Sequence, residues 1–320
     1  RSPMEWGWIM PFMVSVNRFI WRFGIPALLL AYAGYLVWGY TQQTDGGRTA
    51  IIRQHLSNLQ AMDHVDGLVL GGSNAVFSLS AAQLDELSGM TWYNASLMNE
   101  GYTDSNYRRF VTRVAETVDP NAIKLVVYST VSPLRAHEFD RRKNFKGDVT
   151  GHLPLSIKPS RSALDYFIQS AFEGGVSKSK DYPLPTRDGD IDFSHVDCGD
   201  LPSEGQFFEW EDVTLSAHMI AIQTAFLESM FPKAKVMIVL PSEYYSRPED
   251  LEKRKELVDS LFDQVTREFD GMAGIDASRV SLMEQSPYPV FGYVCDSRHH
   301  ANQIGRAFRT QDLFVRLDAS

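Results

Sequence analysis

Gly67-Leu68-Val69-Leu70-Gly71-Gly72-Ser73-Asn74 is an apolar run that stops abruptly at two glycines and a hydroxyl. Three consecutive non-polar residues bounded by glycine are too few for a helix and too uniform for a half-exposed strand. The segment Val65–Leu70 therefore predicts a strand buried on both faces. Similar runs recur at Thr91–Ala95, Ala122–Tyr128, Lys235–Leu240 and Val280–Met283. Between them lie stretches with helical periodicity. Ser80-Ala81-Ala82-Gln83 has the form of a capping box opening a short helix. Residues 104–118 place Tyr107, Phe110, Val111 and Val114 on one face, and further helices are expected at about 211–230, 248–269 and 302–317. Strands alternating with helices imply a parallel sheet covered on both sides, so the fold class is α/β. In such sheets ligands sit beyond the carboxyl ends of the strands, which is where Ser73 falls.

The chemistry expected at that edge depends on a second cluster far downstream. Cys295-Asp296-Ser297-Arg298-His299-His300 sets an acid and two imidazoles just ahead of the last helix. Serine-based acyl transfer or hydrolysis needs a nucleophile, a base and an acid that orients the base. Ser73, a histidine and Asp296 supply these three, and Gly71 and Gly72 permit a tight turn whose Ser73 amide can face an oxyanion. The Asp296-x-x-His299 spacing favours His299 as base, with His300 as the alternative. The other histidines (His55, His64, His137, His152, His195 and His218) are dispersed without ligand spacing, so no metal site is expected.

Composition sets outer limits. The chain has 320 residues, 44% of them hydrophobic, enough for one sizeable core. Its net charge of −9 argues against a nucleic-acid partner. Phe23 to Tyr40 carries no charge, and its eighteen residues would span roughly 27 Å as a helix, close to a bilayer's hydrocarbon thickness. Arg18 and Arg22 precede this run, while Asp45 and Arg48 roughly cancel after it. The positive-inside rule then makes residues 1–22 a cytoplasmic or interfacial arm and 23–40 a single transmembrane helix. Residues 41–60 form a stalk leading into an amphipathic helix, and 61–320 lie outside the inner membrane of a bacterium, in the periplasm. No small-x-small cleavage site follows the run, which favours a retained anchor over a removed signal peptide.

Residues 133–210 interrupt the alternation with Pro, Gly, Asp and Ser clusters and are expected to form an insertion over the mouth of the site. Within it, Asp188–Asp192 reads as a solvated turn. Phe207, Phe208 and Trp210 read as core, with stacking on sugar rings as the alternative. Cys198 and Cys295 are the two cysteines. In an extracytoplasmic domain they are free to pair, closing a loop of roughly a hundred residues, or to stand as two unrelated buried thiols.

The three short motifs together resemble the SGNH (GDSL-type) hydrolase superfamily: Gly-Gly-Ser after the first strand, Tyr93-Asn94-Ala95-Ser96-Leu97 after the second, and Asp-x-x-His before the last helix. The similarity is greatest to membrane-anchored O-acyltransferases of cell-surface polysaccharides, such as alginate O-acetyltransferases and the teichoic acid D-alanylation protein. It implies a three-layer α/β/α sandwich with Ser73 as nucleophile, Asp296 as orienting acid and His299 or His300 as base. His300-x-Asn302-x-x-Gly305 matches a run common in the same superfamily. Gly72 stands where many members carry Asp, a replacement frequent in the acyltransferase branch. Asn99 and Gly101 are the nearest source of further oxyanion donors, since Ser129-Thr130 offers no Asn.

The function implied is O-acylation, most simply O-acetylation, of a secreted or surface polysaccharide through an acyl-serine, without a cofactor. A multi-pass membrane protein is the implied acyl donor. The same residues would also serve a polysaccharide deacetylase or esterase, or survive in a non-catalytic subunit of a polysaccharide-modifying assembly.

Overall fold

The computed structural model describes residues 20–32, 47–97, 105–129, 184–196, 198, 213–245, 247–289, 291–295 and 300–318. These fall into two compact units that divide between residues 50 and 51. In the first, a π-helical turn at Ile20–Gly24 continues into a helix over residues 25–32. Trp21, Phe23, Leu28, Leu29, Leu30 and Tyr32 are exposed there. Among the described residues no helix is long and apolar enough to cross a membrane. Of the expected span 23–40, residues 33–40 lie outside the described residues.

The larger unit is built on five parallel strands: β1 (Gly67–Gly71), β2 (Trp92–Asn94), β3 (Leu125–Ser129), β4 (Lys235–Leu240) and β5 (Val280–Glu284). Their order is β2-β1-β3-β4-β5. The helices of this unit are α1 (Gly47–Gln60, which belongs to it from Ile51 onward), α2 (Ser73–Ser78), α3 (Ala81–Ser88), α4 (Ser105–Thr117), α5 (Val213–Met230), α6 (Pro248–Gly271) and α7 (Gln303–Asp318). Each expected strand is present, Lys235–Leu240 with both ends as expected and the others with ends shifted by no more than three residues. The one helix not anticipated is α2, whose six residues carry too short a period to be recognised.

Burial on both faces explains the uninterrupted apolar runs. Leu68, Val69 and Leu70 are all fully buried, although adjacent side chains of a strand point to opposite faces. On one face Val69, Val127, Met237 and Val239 pack with Ala75 of α2, Leu84 of α3 and Leu313 of α7. On the other, Tyr128 meets Tyr107 of α4, while α5 lies on β4 and carries α6. Burying one such aliphatic side chain contributes roughly 1.5–3 kcal/mol.

The order 2-1-3-4-5 contains one reversal. From β1 the chain crosses to β2 on one side, then returns to place β3 on the other. The crevice beyond the carboxyl ends of β1 and β3 is thus a topological switch point.

Asp188–Asp192 is not a solvated turn. Asp190 is 5% exposed and faces the start of α3. Its carboxylate accepts from Ser80 Oγ at 2.7 Å, from the Ala81 amide at 2.8 Å and from the Ala82 amide at 3.3 Å. An anion on the otherwise unpaired N–H groups of a helix start is favourable, and here it is supplied from 110 residues away. The capping box forms by half. Ser80 Oγ accepts from the Gln83 amide, but the Gln83 side chain goes to the Ala307 carbonyl and the Ser80 amide to Thr310 Oγ1. Phe207, Phe208 and Trp210 lie outside the described residues.

His55 of α1 is buried, with its Nδ1 2.9 Å from the Tyr93 hydroxyl. Desolvation holds its pKa down to about 3, against a small opposing effect from a hydrogen bond to the Ser96 backbone. An unfolded chain's histidine titrates near 6.5, so between about pH 6.5 and 3 the unfolded state binds a proton that the native state refuses. Stability therefore falls as pH drops through that window. Denaturant unfolding at pH 7 and pH 5 is expected to show wild type losing about 2 kcal/mol more than His55→Gln. Equal losses in the two proteins would contradict this assignment.

Candidate functional site

Ser73 is the first residue of α2, two residues beyond β1. Its position depends on Gly71, whose φ is +149°. A β-carbon there would stand 1.8 Å from the Ser129 carbonyl oxygen, so no other residue lets β1 end so close to β3. The same carbonyl accepts from the Gly72 amide at 3.2 Å, and the Gly71 carbonyl accepts from the Leu97 amide at 3.0 Å. The turn is thus tied to both neighbouring strands before the helix begins.

The imidazole that reaches Ser73 belongs to His300. Its Nε2 lies 2.8 Å from Ser73 Oγ across 227 residues of sequence, and both side chains are half-buried. With the ring proton on Nδ1, Nε2 accepts from the hydroxyl, the arrangement a general base requires. The ring stacks on Phe77 of α2 at 4.7 Å between centroids. Phe77 in turn meets Phe193, over which the Arg306 guanidinium lies at 4.5 Å. Aromatic surface thus fixes one face of the imidazole.

The backbone around His300 is held as firmly. The Cys295 amide donates to the His300 carbonyl at 2.7 Å, and the Asn302 amide to the Tyr293 carbonyl at 3.0 Å, with Val294 and Ala301 paired antiparallel between them. Asn302 Oδ1 accepts from the Ile304 and Gly305 amides and so caps α7. Gly305 lets that helix approach the Tyr293 carbonyl, where a β-carbon would stand at 2.1 Å. The His-x-Asn-x-x-Gly run therefore has a physical meaning: cap, close approach and imidazole are one unit. Cys295 is bonded to Cys198, so the base of this loop is fastened covalently to the segment that holds Asp190.

Of the two histidines the sequence offered, His300, the alternative to His299, is the one seen in contact with Ser73. Asp296, His299, Asn99 and Gly101 lie outside the described residues. Gly72 immediately precedes Ser73 and donates its amide to the Ser129 carbonyl. Asn94 serves the interior: its Nδ2 donates to the Leu79 carbonyl and its Oδ1 accepts from the Ser96 amide.

Beneath Ser73 lies a polar set that the sequence did not single out. Asn74 Nδ2 donates to Ser129 Oγ at 2.9 Å, and the buried Arg309 of α7 reaches Asn74, Ser129 and Gln285. An arginine on an amphipathic helix ordinarily reads as solvent-facing, and only its register on the Leu313 side of α7 hinted otherwise.

No protein-family model and no curated protein matches the chain. Among solved structures, it is similar to an acetyl xylan esterase from the rumen bacterium Butyrivibrio proteoclasticus, with a TM-score of 0.39 and 10% identity. It is also similar to a family two carbohydrate esterase from Clostridium thermocellum, solved in complex with cellohexaose, with a TM-score of 0.38 and 10% identity. Each comparison covers 81% of this chain and 65% of the other, so the chain spans just under two thirds of either.

The disulfide closes a loop over 97 residues, which in a chain-entropy account stabilises the fold by about 2–4 kcal/mol. Cys198→Ser is expected to lower the unfolding free energy by that amount and to slow modification of Ser73 by a serine-directed phosphonate. Unchanged phosphonate reactivity in the folded variant would show that the bond does not hold His300 in place.

Proposed function

We propose that the chain is an SGNH-like O-acyltransferase that moves an acetyl group, through an acyl-serine at Ser73, onto a secreted or cell-surface polysaccharide. The 2.8 Å contact between Ser73 Oγ and His300 Nε2, at the switch point of a parallel sheet, carries this reading. A hydroxyl and an imidazole brought together over 227 residues, on backbone tied down on every side, is the arrangement that covalent acyl transfer requires.

In the first step His300 Nε2 takes the Ser73 proton as Oγ bonds to the acyl carbon of the donor. The tetrahedral intermediate collapses by breaking the donor's bond to that carbon, and His300 returns the proton to the leaving atom. In the second step a sugar hydroxyl gives its proton to His300 and its oxygen bonds to the acyl carbon. Ser73 Oγ then leaves and recovers the proton. The Ser73 amide, with donors from Asn99 and Gly101, holds the negative oxygen, and Asp296 holds the Nδ1–H of the base. The steps use side chains and backbone alone, without a cofactor.

Three features support transfer outside the cytoplasm. The uncharged run 23–40 has the length of a membrane span. The Cys198–Cys295 bond suits an oxidising compartment. Gly72 stands where the acyltransferase branch departs from the Gly-Asp-Ser pattern. The chain is then a single-pass protein of a bacterial inner membrane with its catalytic domain in the periplasm, where no acyl-CoA is found. A multi-pass membrane protein delivers the acyl group.

Purified protein incubated with p-nitrophenyl acetate and an oligosaccharide acceptor is expected to yield acetylated sugar. Ser73→Ala and His300→Ala should each lower that rate by at least about 10³-fold. Free acetate as the sole product would make the protein an esterase. Full polysaccharide acylation in a deletion strain carrying Ser73→Ala would make it a non-catalytic subunit.

A further inference from the structure

Arg309 is among the largest fully buried side chains of the molecule. It lies at the back of the site, and its three nitrogens are all engaged. Nη1 donates to the Asn74 carbonyl at 3.0 Å, Nη2 to Ser129 Oγ at 2.6 Å and Nε to Gln285 Oε1. Gln285 Nε2 donates back to the Arg309 carbonyl at 3.0 Å. One guanidinium thus joins the residue that follows Ser73, the last residue of β3 and the residue that follows β5.

All the acceptors are neutral. Among the described residues no carboxylate lies within ion-pairing distance of Arg309. The ionisable groups that act on it from the surrounding elements are Tyr288, Arg254 and Asp312. Asp312 is itself engaged by Ser286 and Arg316, and Arg254 is a second cation. Removing a guanidinium from water without a counter-charge costs several kcal/mol, and a neutral side chain could brace the same three elements at less cost. A cation kept at that cost one residue from the nucleophile is best explained by the charge that appears there during reaction. A fixed positive charge in a dry interior favours negative charge on nearby oxygen far more than it would in water.

The geometry points to Arg309 as the positioning residue of the nucleophile: it clamps the start of α2 against β3 and β5 and holds a buried positive charge, with no carboxylate at ion-pairing distance among the described residues, beneath Ser73, which favours the anionic transition state of acyl transfer. This inference rests on the reading of Ser73 as the nucleophile. Arg309 touches neither substrate nor the reacting atoms and acts through Asn74 and Ser129.

The test compares wild type, Arg309→Met, Arg309→Lys and Ser73→Ala with p-nitrophenyl acetate, with kcat and KM determined at a temperature where circular dichroism shows each protein folded. Arg309→Met is expected to lower kcat by at least about 30-fold with KM within about threefold. Arg309→Lys keeps the charge and loses the fork, so it should recover at least about fivefold of that loss. A Met variant with kcat within about threefold of wild type, or a folded Lys variant no faster than Met, overturns the inference. Should Arg309→Met not fold, Arg309→Lys decides: kcat within about tenfold of wild type supports the role, and a larger loss in the folded protein overturns it. Wild-type activity in Ser73→Ala would overturn the acyl-serine reading and this inference with it, whereas an inactive Ser73→Ala beside a fully active Arg309→Met would overturn the inference alone.

Discussion

The carbonyl oxygen of Ser129 occupies the space that a side chain on residue 71 would need. Because residue 71 is glycine, β1 ends in van der Waals contact with β3 and the chain turns at once into α2. Everything at the site follows from that approach. Asn74 comes within reach of Ser129, the start of α2 rests on a buried polar floor, and the hydroxyl of Ser73 stands at the edge of the sheet where His300 meets it. A displacement of even one ångström at this turn would separate groups whose chemistry depends on contact.

Much of the scaffold was legible in the sequence because hydrophobic runs of four to six residues have few ways to be buried. Consecutive apolar residues such as Leu68-Val69-Leu70 and Val236-Met237-Ile238-Val239 announce a sheet covered on both sides, and the helices between the strands leave parallel pairing as the simple solution. The turn before Ser73 was legible for a related reason, since two glycines after a buried strand mark a place where backbone comes close. The base was harder. Adjacent histidines differ by one position in sequence, and what sets His300 is a backbone pair with Cys295 that only the folded chain reveals.

Asp190 and Arg309 show where reading by composition fails. Both belong to residue types that usually face water, and Asp190 also sits in an acidic cluster. Each is buried against a partner more than a hundred residues away: the start of α3 for the carboxylate, the start of α2 and the end of β3 for the guanidinium. Local pattern carries no information about such partners. The two residues also have different energetic characters. The carboxylate satisfies amides that would otherwise go unpaired, whereas the guanidinium donates, among the described residues, to neutral acceptors.

The stretch between β3 and Leu184 leaves the sheet at Ser129, a residue fixed by two hydrogen bonds to its hydroxyl, and the chain is secured again by Asp190 on α3 and Cys198 on Cys295. Departure and return are therefore anchored independently of what lies between. Changes in the sequence between those two anchors therefore need not alter how β1 and β3 end, nor the contact between Ser73 and His300.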